Sequence, residues 1–411
     1  METDKKIHNQ LRNFISEICN EIGPRVPCSD NERKTAELLM EKLRKHTQYV
    51  QIEDFTTHRG AYKAAFRIPM ILYITIVITY WTIPLVNMII SLISFIILFG
   101  EMAMAFEIID FLFPKKMSQN LITKMVLKSN QEVLGAGDRS LVIIGSHIDS
   151  NWEFPLFRKI GILSTIVIAI NVIFQALLLI NLILKNILIG YNKAEILHEF
   201  DRVFYWILVI GIIPAVVQLF FIISNRPVMG ANDNLSGVAV CYELIKYFSQ
   251  SGTCLDNIEL WVCFYGCEEI GSKGSKAFIK KHYREIKNAI VVNVDMVGNT
   301  GSKLIIDTSE VFGTVKMDKN LIEMIEDTAR NLDIPIKKGA ATAFTDSMSF
   351  ARNGIKCVSL VSLPVSSKKF YYHTREDTLD NMDFTNLMHS RNLLIKVLTN
   401  LDKDLDSDLD K

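Results

Sequence analysis

The chain has 411 residues, with 45 Lys+Arg against 45 Asp+Glu, so it carries no formal net charge and lacks the basic excess that nucleic-acid binding requires. Hydrophobic residues make up 49% and the mean hydropathy is +0.22, which is too apolar for a disordered chain. Seven cysteines, an odd and sparse set, argue against a disulfide-stapled secreted domain and fit a reducing compartment.

In chain order, residues 5–22 read as a helix. Ser29 and Glu32 have capping-box spacing ahead of an apolar ladder of Ala36, Leu39, Met40 and Leu43, which predicts a second helix to about residue 45. Tyr49–Phe55 alternates as a strand. Ile68–Gly100 then holds no charge, and at about 1.5 Å per helical residue its roughly 33 residues span about 50 Å, more than one hydrocarbon core of about 30 Å. Two crossings with a turn near Pro84–Asn87 follow. Thr123–Lys128 and Ser140–Gly145 read as strands, the latter buried. The uncharged runs Ile160–Leu184 and Val203–Asn225 are each one crossing long and form a second hairpin. After them come a helix at Gly237–Phe248, a strand at Ile258–Phe264, a helix near Ser275–His282 and a strand at Ala289–Asp295. Such alternation predicts an α/β domain, a three-layer α/β/α sandwich around a mixed, largely parallel sheet. The ending DKDLDSDLDK reads as an acidic, mobile tail.

The expected organisation is one polar α/β domain in segments at 1–67, 115–158 and 226–400, transmembrane hairpins at 68–114 and 159–225, and a tail at 401–411. No apolar stretch precedes residue 68, so the expectation is an amino terminus on the cytoplasmic side. Arg59, Lys63, Arg67, Lys115, Lys116, Arg158, Lys159 and Arg226 flank the crossings on the side of the polar domain, against Lys185, Lys193 and Arg202 opposite. That bias predicts a multi-pass protein of four crossings with its polar domain in the cytoplasm. Glu101 interrupts an apolar run and is expected at the interface.

Acidic and His residues gather where the predicted strands end: His147-Ile148-Asp149 after LVIIGS, Asp233 in GANDNLSG, Glu268-Glu269 after WVCFYGC, Asp295 after AIVVNV, and His373 in YYHTREDT. In open α/β sheets, loops leaving the strand ends converge on one edge, so a metal site is the natural inference. Cys263 and Cys267 have no second pair to make a zinc motif and read as core or loop thiols.

The order His-x-Asp, Gly-Ala-Asn-Asp-Asn-x-Ser-Gly, Glu-Glu-x-Gly-x-x-Gly-Ser, Asn-x-Asp-Met and Tyr-His-Thr-x-x-Asp-Thr resembles the aminopeptidase-Y-like family of di-zinc exopeptidases, and Ile22-Gly23-Pro24-Arg25 resembles that family's start. The resemblance implies two Zn2+ ions: His147 and Asp295 on one, Glu269 and His373 on the other, Asp233 bridging. Asp149 would fix the His147 tautomer. Glu268 would serve as general base toward a zinc-activated hydroxide, and Tyr372 would stabilise the tetrahedral oxyanion. Asp346 falls where relatives carry an Asp-His pair, but Ser347 follows it here, which leaves its role open. The implied function is a membrane-integral aminopeptidase acting on peptide amino termini, with peptide substrates and the lipid bilayer as partners. A zinc glutaminyl cyclotransferase-like enzyme and a non-catalytic membrane receptor or scaffold are the alternatives. Because the second hairpin lies between His147 and Asp233 in sequence, substrates are expected to arrive near the bilayer surface.

Overall fold

A computed structural model describes residues 2–103, 106–125, 139–191, 194–340, 344–364 and 371–409. The chain forms two compact units, one of Met1–Thr57, Lys116–Asn151 and Pro227–Lys411, the other of His58–Lys115 and Trp152–Arg226.

The first unit is built on an eight-stranded sheet: β1 (Tyr49–Thr57), β2 (Lys116–Met125), β3 (Ser140–His147), β4 (Ile258–Tyr265), β5 (Ile290–Asp295), β6 (Ser302–Asp307), β7 (Ile336–Gly339) and β8 (Lys356–Pro364), in the order β1-β2-β4-β3-β5-β8-β6-β7. The central four, β4-β3-β5-β8, are mutually parallel, whereas β1 and β2 pair antiparallel with each other, as do β2 with β4 and β6 with β8. Central strands covered on both faces need continuous apolar runs, and Val142, Ile143 and Ile144 of β3 and Leu260 to Phe264 of β4 are all buried. Helices Glu2–Glu21, Leu235–Gln250, Lys319–Asn331 and Phe384–Leu409 pack together on one face, where Lys42 of Asp30–Leu43 also meets Glu17, and Lys273–Ile286 and Asp346–Arg352 pack on the other. This is the expected three-layer sandwich.

Several predicted elements shift at their ends. The Ser29 side chain accepts from the Glu32 N–H as a capping box requires, but the Glu32 carboxylate turns to the Cys28 N–H instead of closing back on Ser29. Strand β2 starts at Lys116 and is described to Met125, so residues 126–128 of the predicted strand lie outside the described residues. The acidic ending is not a loose tail through its length. The last helix runs on to Leu409, Leu401 is buried, and Asp402 accepts the backbone N–H groups of Asp256 and Asn257. The spacing of Leu398 and Leu401 carried the apolar face past the point where acidic composition suggested it would stop. His282, within the helix Lys273–Ile286, is buried against Glu53 at 3.0 Å.

Among its described residues the second unit has four helices long and apolar enough to cross a membrane: Arg59–Ile78, Pro84–Glu101, Ser164–Gly190 and Phe200–Phe221. The first begins nine residues before the uncharged run, because its opening turns carry Arg59, Lys63 and Arg67. Outward side chains such as Ile71, Leu92, Ile173 and Phe220 are exposed. Inside, polar groups meet one another: Gln175 donates to the Pro69 carbonyl at 2.8 Å, Asn171 to Gln218 at 2.9 Å, and Lys185 pairs with Asp201 at 2.7 Å. An apolar exterior around a polar seam is how helices associate in lipid, where burying apolar surface offers no gain. Glu101 accepts the N–H groups of Ile108 and Ile109, which ties down the chain beyond the helix.

Candidate metal centre

The predicted ligands come together at the carboxyl edge of the parallel strands. His147 ends β3, Glu268 and Glu269 open a short 3-10 turn after β4, and Asp295 ends β5. Asp233 lies in the loop that leads into Leu235–Gln250. It is central: its Oδ1 is 3.3 Å from His147 Nε2 and its Oδ2 is 3.1 Å from His373 Nε2. Asp295 Oδ1 is 3.5 Å from the His147 ring and Glu269 Oε2 is 2.8 Å from the His373 ring. Ligand-type atoms of His147, Asp233 and Asp295 all lie within 4.8 Å of one another, as do those of Asp233, Glu269 and His373. The two triads share Asp233, one oxygen facing each.

The motif residues around Asp233 hold this geometry. Asn234 caps the following helix through the Gly237 N–H, accepts from the Met296 N–H and donates to the Val294 carbonyl, pinning the loop to the end of β5. Asn232 accepts the Gly298 N–H, and Ser236 bonds both the Asn232 carbonyl and the Val297 N–H. Gly237 is required by space, since a Cβ there would stand 2.3 Å from the Val294 carbonyl oxygen. Left-handed backbone clusters here as well: Cys267 (φ 55°), Met296 (φ 47°) and His373 (φ 51°) precede, follow or are expected ligands and base. The Asp233–Asn234 peptide is cis.

The donor set fits divalent cations. All five expected ligands are buried, and Asp233 Oδ2, Glu269 Oε1 and Asp295 Oδ1 accept no hydrogen bond of normal geometry. Buried carboxylates are costly unless a cation compensates them, and imidazole with carboxylate oxygen is a donor set that zinc accepts. Electrostatics point the same way. Burial pushes the Glu269 carboxyl up to about 7, with the Asp233 charge adding to it, and burial raises Glu268 well above the usual carboxylate range. Burial opposes charge on both imidazoles but is outweighed: Asp295, Asp149 and Asp233 hold His147 well above its ordinary value, and Glu269 and Asp233 hold His373 up at about 9. Ring protons here do the neutralising work that bound cations would do.

Asp149 lies 3.4 Å from His147 Nδ1, and its two oxygens accept the N–H groups of Glu268 and Glu269 at 3.0 and 3.1 Å. It therefore orients the loop of the expected base as well as the imidazole. Glu268 Oε2 approaches His147 Nε2 at 3.9 Å, and its Oε1 accepts from Ser272. The Tyr372 ring stacks on His373 at 3.6 Å between centroids.

Four further residues belong to this centre. Asp377, inside the Tyr-His-Thr-x-x-Asp-Thr motif, accepts the N–H groups of Asn232 and Asp233 at 2.6 and 3.0 Å. Asn151 donates to Glu269 at 2.7 Å. Asp346, whose role was open, is fully enclosed among these charges, and burial pushes its carboxyl up to about 7. Arg25 is 0% exposed and donates to the carbonyls of Ile148, Gly23, Met229 and Gly230. Asp377 and Arg25 each lie inside a motif visible in the sequence and Asp346 was singled out there with its role open, but nothing in sequence spacing pairs Arg25 with residues about 200 positions away.

Fold and site together define a class, that of α/β proteins with a mixed, mostly parallel sheet and a pair of His–carboxylate triads at its strand ends. Residues 215–398 match the model of peptidase family M28. The chain is 26% identical over 185 residues to a probable leucine aminopeptidase 1 of Trichophyton verrucosum (strain HKI 0517), covering 42% of this chain and 49% of that protein. It thus spans about half the length of the curated relative it matches. Among solved structures, a zinc aminopeptidase from Bacillus subtilis is similar with a TM-score of 0.58 at 14% identity, over 96% of this chain and 95% of that one. Porphyromonas gingivalis glutaminyl cyclase is similar with a TM-score of 0.56 at 15% identity, over 96% and 98%.

Proposed function

We propose that the protein is a membrane-integral zinc metallo-exopeptidase that removes residues from peptide amino termini. The observation that carries this reading is the pair of His–carboxylate triads sharing Asp233 at the strand ends. His147 and Asp295 would hold one Zn2+, Glu269 and His373 a second, and Asp233 both. Bound zinc lowers the pKa of water from 15.7 to about 7 and polarises a carbonyl. Around it, Glu268 takes the proton from the attacking water and delivers it to the leaving amine, a role suited to a buried carboxyl whose proton affinity burial has raised. Asp149 keeps His147 oriented and fixes the Glu268 loop through two backbone N–H groups. Tyr372, beside His373, offers a phenol to the developing oxyanion. The four apolar helices cross the bilayer, and the bias of basic flanks supports a cytoplasmic catalytic unit.

The test is zinc stoichiometry on the purified full chain, paired with a screen of aminoacyl reporters and amino-terminal Gln peptides. Two zinc ions per chain and released free amino acid are expected. Glu268→Gln should lower kcat by about 10² to 10⁴ with zinc content unchanged. Loss of ammonia without chain shortening would favour the cyclotransferase reading. No zinc and no turnover would favour the scaffold.

A further inference from the structure

Cys28 and Cys267 stand 239 positions apart in sequence, yet their sulfurs are 3.5 Å from each other. Neither is in a disulfide. Glu32 gathers them: its Oε2 accepts the Cys28 N–H at 2.8 Å and its Oε1 the Cys267 N–H at 2.9 Å, while Ser118 donates to the same carboxylate at 2.9 Å. Both cysteines take left-handed backbone angles, φ 54° and 55°, so their side chains are aimed at one another by the turns they occupy. Cys28 is half-buried and Cys267 fully buried. Cys267 directly precedes Glu268.

We propose that Cys28 and Cys267 form a redox-modification site, closed to an intramolecular disulfide by a low-molecular-weight disulfide such as oxidised glutathione, and that closure suppresses turnover by displacing Glu268. The accessible Cys28 thiolate attacks the small disulfide and expels one thiolate. Cys267 then attacks Cys28 Sγ and expels the second. Two protein S–H bonds and one small S–S bond are lost, one protein S–S bond forms, and the two protons pass to the two released thiols. The protein is oxidised by two electrons and the small disulfide is reduced. Bringing sulfurs from 3.5 Å to the about 2.0 Å of a disulfide moves them together by roughly 1.5 Å. The pull falls on the residue before Glu268, and misplacement of a catalytic group by about 1 Å can cost about 100-fold in rate. The modification itself depends only on the two thiols. Its effect on turnover rests on the peptidase reading above.

The experiment incubates the full chain in detergent with defined ratios of reduced and oxidised glutathione, then measures the linked peptide containing Cys28 and Cys267 by mass spectrometry, zinc content, and turnover of an aminoacyl reporter. Cys254 reports that the oxidant reached the protein. The expected result is a linked peptide that rises as turnover falls tenfold or more, zinc retained, and full recovery in dithiothreitol. Cys28→Ser should keep the turnover of the reduced wild type and ignore the oxidant. The proposal is overturned if both cysteines are recovered as thiols or as separate glutathione adducts while Cys254 reacts, if linkage leaves turnover unchanged, or if Cys28→Ser is inhibited equally. An additional zinc held by the two thiols would overturn it also. If the reduced protein turns over nothing, the peptidase reading fails and the linked peptide alone decides the modification.

Discussion

Replacing Arg25 tests how the centre is held. Its guanidinium donates four hydrogen bonds of 2.8, 3.1, 2.9 and 2.9 Å to carbonyls of Ile148, Gly23, Met229 and Gly230. Ile148 follows His147, and Gly230 opens the loop of Asp233, so one planar cation braces the flanks of two expected ligands. Bonds from charged donors are worth about 1.5 to 3 kcal/mol each, which sets a ceiling of roughly 6 to 12 kcal/mol for four. Burying the guanidinium costs part of that. Removal should then resemble the breaking of other buried charged pairs, about 3 to 5 kcal/mol. Arg25→Met is expected to lower the opening free energy of amides in 147–151 and 228–236 by that amount, read by hydrogen–deuterium exchange, and to weaken zinc binding tenfold or more. Arg25→Lys keeps the charge but not the planar fork, and should lie between the two. If Arg25→Met stays within about 1 kcal/mol of the wild type and binds zinc equally, the bracing argument is wrong.

Stability of the metal-free protein should fall as pH rises from about 4 to 9 in thermal unfolding. Burial raises Asp377 to about 7 and Glu269 and Asp346 also rise, while His373 stands at about 9, so the native state holds protons that the unfolded chain has released. The His373 contribution is complete below pH 6.5 and is lost as pH passes 9. Zinc reverses the trend, because deprotonated ligands are what bind it. In the helical unit, Lys185→Met leaves Asp201 buried without its partner at 2.7 Å, and thermal stability in detergent should drop by about 3 to 5 kcal/mol, largely restored by adding Asp201→Leu. Gly237→Ala pushes a methyl against the Val294 carbonyl and should cost at least about 1 to 3 kcal/mol while lowering zinc content.

Much of this architecture is written in local patterns. Apolar runs at Ile68–Gly100, Ile160–Leu184 and Val203–Asn225 reveal the long helices because length and freedom from charge are properties of a segment alone. The candidate ligands were legible because buried strands such as LVIIGS and AIVVNV stop abruptly at His or Asp, and a parallel sheet collects such ends on one edge. The capping box at Ser29 and Glu32 was half legible: Ser29 caps as its spacing dictates, whereas the Glu32 carboxylate found partners at Cys28, Ser118 and Cys267 that no local pattern encodes.

Three-dimensional packing alone decided which distant groups share these enclosed spaces. Arg25 reaches carbonyls near residue 230, Asp377 takes the Asp233 amide, and Cys28 faces Cys267, each through a contact between segments over a hundred residues apart. The physical reason is that a buried donor or acceptor must be satisfied by whatever the fold brings within about 3 Å, and that neighbour is chosen by strand order rather than by position along the chain.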